Sequence, residues 1–280
     1  PPPPPPPPLT APATTEIYTV LTSSAASDVY KRQHLYSEAF DDDRNEMIQR
    51  AIDARVTRFF IPAIDSTYTN AMFQLEANFP DNVHLMMGLH PTHVKENYQS
   101  ELRHVEEKLA QRKFVAIGEI GIDLYWDKST LIIQKKAFKH QIHLAKQYEL
   151  PVVIHCRDAF DEIFEVLEEE MDNQLFGIFH CFTGTIEQAN KAISYNMKLG
   201  IGGVVTFKNG KIDQFINQID LKHIVLETDS PYLAPKPYRG KRNESLYILK
   251  VLGRLSDLYG VSQEKIAEIT TQNSKEIFGI

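Results

Sequence analysis

Thiols, long apolar stretches and surplus positive charge are all scarce in this chain, and each shortage removes a class of protein. Two cysteines, Cys156 and Cys181, cannot build a disulfide framework, which fits a reducing compartment. No apolar stretch approaches the ~20 residues a membrane helix needs. The N-terminus also lacks the basic start, apolar middle and small-residue cleavage site of a secretory signal. The expected location is therefore the cytoplasm, with no membrane partner. A formal net charge of -7 leaves no global basic field to coat a nucleic acid duplex. Local basic patches and bound cations can still handle phosphates. Nothing in the composition implies an obligate protein partner.

What is present falls into two parts. Residues 1–33 open with the polyproline run Pro1 to Pro8 and continue rich in Thr, Ala and Ser. Such a run favours an extended, solvated helix without internal hydrogen bonds. The segment is expected to be disordered and not native to the domain. Residues 34–280 have the ~250-residue length of a single eight-stranded α/β barrel. Seven β-like runs recur from residue 56 onward: VTRFFIPAI, VHLMMGLHP, FVAIGEIGID, PVVIHCRD, FGIFHCFTG, MKLGIGGVVTF and HIVLETDSP. The segment up to His34 supplies an eighth and weaker one. Amphipathic helical patterns fill most of the gaps, as in IIQKKAFKHQIHLAKQYEL. Apolar strands interleaved with helices indicate a parallel sheet buried on both faces. The expected fold is α/β, a single TIM-like (β/α)8 barrel, with a doubly wound open sheet as the alternative. Two closing helices follow the last strand; Gly260 ends the first and Ser262 starts the second.

Four of these runs carry a metal-ligand residue at or near the C-terminal end: Glu119, His155, His180 and Asp229. His34 stands where the first strand ends. An isolated residue of this kind is most often a satisfied buried polar group or a surface side chain, but a parallel barrel gathers the C-terminal ends of its strands around one pocket. Period-two alternation puts Val115, Ile117 and Glu119 on one face, Val153, His155 and Arg157 on another, Ile178, His180 and Phe182 on a third, and Val225, Glu227 and Asp229 on a fourth. If these faces point inward, five ligands converge. Three imidazoles and two carboxylates suit Zn²⁺, Mn²⁺ or Fe, and Mg²⁺ where water fills the rest. A carboxylate among clustered imidazoles can bridge two metals. Cys156 and Cys181 each follow a ligand His directly, so they should face the opposite way as small buried apolar groups.

GLHP, GEIGID, PVVIHCRDA, HCFTG, ETDSPYL, GKRNE and TTQNSKEIFG, in that order, resemble the signatures of the TatD-type metal-dependent deoxyribonucleases of the amidohydrolase superfamily. The resemblance covers about residues 34–280. It implies a barrel, two divalent metal ions (Mg, Mn or Zn) and hydrolysis of DNA phosphodiester bonds by attack of metal-bound hydroxide, often from a 3′ end. It further implies that Glu119 bridges the metals, that His155 and His180 hold one, and that His34 and Asp229 hold the other, Asp229 also taking the proton of the attacking water. The family opens with a His-x-His pair. Here His34 matches its second member, while Arg32 stands at the first. A guanidinium offers no lone pair to a metal, so this chain is expected to carry a weakened site that Arg32→His would strengthen.

Around that centre, Arg157 could neutralise a substrate phosphate or instead pair with a neighbouring carboxylate. Arg239, Lys241 and Arg242 form a basic loop that could grip backbone phosphates. Tyr125 and Trp126 could stack on a base. Glu227 and His90 are candidates to stand behind the ligand imidazoles and orient them, and Asp123 ends its strand at the pocket's edge. A nuclease acting on single strands or ends is the leading expectation. An amidase, esterase or deacylase would use the same activated water, and a non-catalytic binding protein is a third possibility.

Overall fold

The computed structural model describes residues 34–280. The expectations for residues 1–33, and for Arg32 among them, fall outside the described residues. Each of the seven apolar runs contains one strand: β1 (Phe59–Ile61), β2 (Val83–Leu85), β3 (Ile117–Asp123), β4 (Val152–Arg157), β5 (Gly177–Phe179), β6 (Met197–Ile201) and β7 (Ile224–Leu226). All pairings are parallel, in the order β1-β2 and β3-β4-β5-β6-β7. A parallel bridge from Met87 to Ile117 joins the two sheets. Residues 34–36 close the remaining side. The His34 N–H donates to the Ser230 carbonyl at 3.0 Å, and the Tyr36 hydroxyl donates to the Pro62 carbonyl at 2.8 Å.

Eight α-helices sheathe the barrel: α1 (Arg44–Asp53), α2 (Thr69–Asn78), α3 (Tyr98–Gln111), α4 (Leu131–Gln147), α5 (Phe160–Glu170), α6 (Ile186–Ser194), α7 (Ile248–Tyr259) and α8 (Gln263–Phe278), counted among the described residues. Their starts and stops follow from side-chain chemistry. Thr185 and Gln188 form a reciprocal capping box on α6. Gly260 ends α7 with a left-handed φ of 65°, and the Ser262 hydroxyl accepts from the Lys265 N–H to start α8. Each helix turns an apolar stripe inward, as α5 does with Ile163, Phe164, Val166 and Leu167. No helix among the described residues is long and apolar enough to cross a membrane.

Apolar burial divides into two bodies. The larger lies between strands and helices; the smaller fills the barrel interior with Phe60, Met86, Ala116, Val153, Ile178 and Val225. Each of six staves contributes one side chain to that inner layer, as a packed barrel requires. Ile277 and Phe278 at the end of α8 complete it from below, with Phe278 stacked on Phe60 at 4.2 Å between ring centroids.

Two of the expected faces are corrected here. On β3 the inner position belongs to Ala116, while Ile117 packs outward against helices. The register with β4 shifts between Gly118 and Ile120. This irregularity inserts one residue and turns Glu119 inward, followed by Gly121 and Asp123. On β5 the strand stops at Phe179, and Cys181 adopts a φ of +42°. Phe182 therefore leaves the inward face and packs with Phe160 and Phe179 in the outer core.

Candidate metal centre

Directly above the apolar inner layer the same strands carry polar residues, and one oxygen organises them. Glu119 is fully buried, and its Oε1 lies 3.0 Å from His155 Nδ1, 3.5 Å from His90 Nε2 and 3.8 Å from His180 Nε2. Each imidazole is also held from behind. His155 Nε2 lies 2.9 Å from Asp123 Oδ2, and His180 Nδ1 lies 2.7 Å from Glu227 Oε2. His90 Nδ1 accepts the Thr92 backbone N–H at 3.2 Å, so a neutral His90 carries its proton on Nε2, facing Glu119. A carboxylate accepting from the far nitrogen, as for His155 and His180, is how proteins fix the tautomer and aim of a ligand imidazole; His90, protonated on Nε2, instead donates toward Glu119.

Local backbone makes room for this arrangement. A Cβ on Gly121, whose φ is +131°, would stand 2.1 Å from the His155 carbonyl oxygen. One on Gly200 would stand 2.8 Å from Glu227 Oε2. Glycine at the first lets β3 and β4 approach, and at the second it clears space for a buried carboxylate. Burial alone would raise the pKa of Asp123. The hydrogen bond and charge of His155, with the Tyr125 and Trp126 backbone N–H groups, outweigh that and hold its carboxyl below the usual range.

Two sets of side chains bring their ligand atoms within 4.8 Å of one another: His90, Glu119 and His155, and His180, Cys181 and Glu227. The donor chemistry fits a divalent cation. Imidazole and carboxylate donors suit Zn²⁺ or Mn²⁺, and a cation offsets the cost of burying the Glu119 and Glu227 carboxylates. Cys181 is a further correction. Its left-handed backbone turns the thiol toward His180 and Glu227, where strict alternation would have sent it outward. Cys156 does pack against the outer core, and burial pushes its thiol pKa up.

The remaining sequence candidates are spread over the barrel mouth. His34 is buried, with Nδ1 3.1 Å from the Tyr36 hydroxyl. Asp229 is half-buried at the end of β7 with a φ of +55°. Both belong to neither set of three. Arg157 is exposed, lies 3.6 Å from the Tyr125 ring centroid and makes no ion pair among the described residues. Arg239 lies over Phe207 at 4.4 Å, and Lys241 is exposed. Arg242 is engaged elsewhere: it binds both Asp43 oxygens at 2.6 and 2.7 Å and donates to the Ala39 carbonyl at 2.9 Å. Asp123, expected only at the pocket's edge, is the carboxylate that orients His155, on the face that its even spacing from Glu119 gives it. His90, expected to orient ligands, lies with Glu119 and His155 in the first set.

The family described as TatD related DNase matches residues 32–279. An uncharacterized metal-dependent hydrolase of Bacillus subtilis, YabD, is 41% identical over 249 residues, covering 88% of this chain and 97% of that protein. The 3'-5' ssDNA/RNA exonuclease TatD of Pantoea ananatis is 30% identical over 254 residues, with 88% and 97% covered. Among solved structures, the TatD homologue YjjV of Escherichia coli superimposes with a TM-score of 0.85 at 27% identity, covering 91% of this chain and 99% of that one. Imidazoles and carboxylates at the strand ends of a parallel barrel, together with a match along nearly the whole domain, place this chain in the TatD family of metal-dependent hydrolases.

Proposed function

We propose that this chain hydrolyses phosphodiester bonds in DNA, at single strands or ends, in the cytoplasm. The observation that carries the reading is the convergence of three imidazoles on Glu119 Oε1 with an exposed guanidinium, Arg157, two residues beyond His155 on the same strand. Divalent cations, when bound, would acidify an attacking water and neutralise charge gathering on phosphate oxygens. Glu119, His155 and His180 are the residues that would hold one such ion, with His34 and Asp229 available to hold a second. Asp123 and Glu227 keep the two histidines aimed. Asp229 would accept the proton of the water, and Arg157, braced on Tyr125, would hold the phosphate being cut. Arg239 and Lys241 are left to contact phosphates further along the strand. The exonuclease name carried by the Pantoea relative points in the same direction.

Labelled single-stranded DNA tests this, with and without EDTA, on the chain as it stands and on Arg32→His. EDTA-sensitive cleavage is expected, with more bound metal and faster cleavage in the variant. Turnover of an ester or anilide with no phosphodiester cleavage in either protein would reassign the site to acyl hydrolysis. Absence of metal from both would remove the basis of the site.

A further inference from the structure

The only tryptophan of the chain, Trp126, is 72% exposed, and its neighbour Tyr125 is 54% exposed. Large aromatic faces left in water at a barrel mouth call for an occupant. These two are held in a defined shape. Their rings meet edge to face at 4.8 Å and 89°. The Tyr125 backbone N–H donates to Asp123 Oδ1 at 3.0 Å, the carboxylate whose other oxygen holds His155. Arg157 covers Tyr125 at 3.6 Å and lies 5.6 Å from Trp126. The guanidinium therefore occupies the Tyr125 ring, and the indole remains as the open platform.

Resting on the phosphodiesterase reading above, we infer that Trp126 is the residue that selects unpaired DNA, by stacking one base beside the phosphate held by Arg157. The cation and the ring are spaced as neighbours, as a phosphate and the base of an adjoining nucleotide are. Base–aromatic stacking needs a free π-face. In a duplex both faces of every internal base are already covered, so this platform rejects paired DNA without reading sequence.

Because Trp126 is the sole tryptophan, its own fluorescence reports the contact. The metal-loaded full chain would be titrated with oligo(dT) and with an abasic oligomer of equal length and charge. Oligo(dT) should quench the emission and the abasic strand should not. In Trp126→Ala the KM for oligo(dT) should rise roughly 5- to 150-fold, with Trp126→Phe largely restoring it. The KM for the abasic oligomer, which offers the indole no ring to stack on, should shift far less in either variant. Equal quenching by both strands, or an unchanged KM for oligo(dT) in Trp126→Ala, overturns the inference while leaving the phosphodiesterase reading intact. Failure of both the chain as it stands and Arg32→His to cleave oligo(dT) overturns both.

Discussion

Asp123 shows how much of the centre depends on a side chain outside the ligand set. Its carboxylate fixes which His155 nitrogen faces Glu119. Asp123→Asn keeps the volume but weakens the acceptor, so metal affinity should fall about 10- to 100-fold while the thermal transition of the metal-free protein barely moves. Competition against a fluorescent chelator reads the affinity. An unchanged value would show that His155 is oriented by something else. Much of this centre is legible in the sequence, because Glu119, His155 and His180 end apolar runs and a parallel barrel places such ends together. Asp123 is legible only as a residue at the pocket's edge, since even spacing from Glu119 gives its face but not its contact with His155. The inward thiol of Cys181 is not legible, because its left-handed backbone breaks the alternation and counting by twos assigns the wrong face. Arg242 fails for another reason. A basic loop residue reads as available, and only tertiary folding brings Asp43 to it.

At the scale of elements, the seven apolar runs and the closing helices are visible because composition and periodicity agree along them. Register is not visible. Ala116, and not Ile117, fills the barrel interior because β3 and β4 realign between Gly118 and Ile120. That realignment leans on Gly121, which has a φ of +131° and no space for a Cβ against the His155 carbonyl. Gly121→Ala should therefore cost about 3 kcal/mol or more, combining backbone strain with a steric clash that cannot relax cheaply. Urea denaturation gives the figure, and a loss below about 1 kcal/mol would mean that the strands separate easily. Gly260→Ala, also at positive φ but with nothing within 4 Å of a Cβ, serves as the control; it should cost only the strain of the left-handed turn, about 1 kcal/mol.

Across the whole molecule, charged groups tie the start of α1 to the loop after β7. Arg242 binds Asp43, and Arg50 reaches both Asp43 and Glu244. The hydrogen bond from Arg242, helped by Arg50 and opposed by burial, holds the Asp43 carboxyl below its ordinary range. A depressed carboxylate stabilises the fold above its unfolded pKa of about 3.9. That contribution is lost as pH falls through the lower folded value. Stability should thus decline on acidification below about pH 4, with Asp43 supplying no more than about 1 kcal/mol of it. In Asp43→Asn the urea midpoint should be lower at pH 7 and should converge on the parent's in acid. Parallel curves would assign the acid sensitivity to other groups. The shift between Gly118 and Ile120 has a last consequence, for how preparations of this protein are judged. Glu119 faces the mouth only because one extra residue is accommodated there, so a β3 that settled one position out of register would turn it into the outer core. Such a chain would keep nearly all its helices and show an ordinary far-ultraviolet spectrum, yet bind no metal. Batches of equal purity could then differ several-fold in specific activity, and the fraction of molecules carrying tightly held metal, not the spectrum, would measure how much of each batch is native.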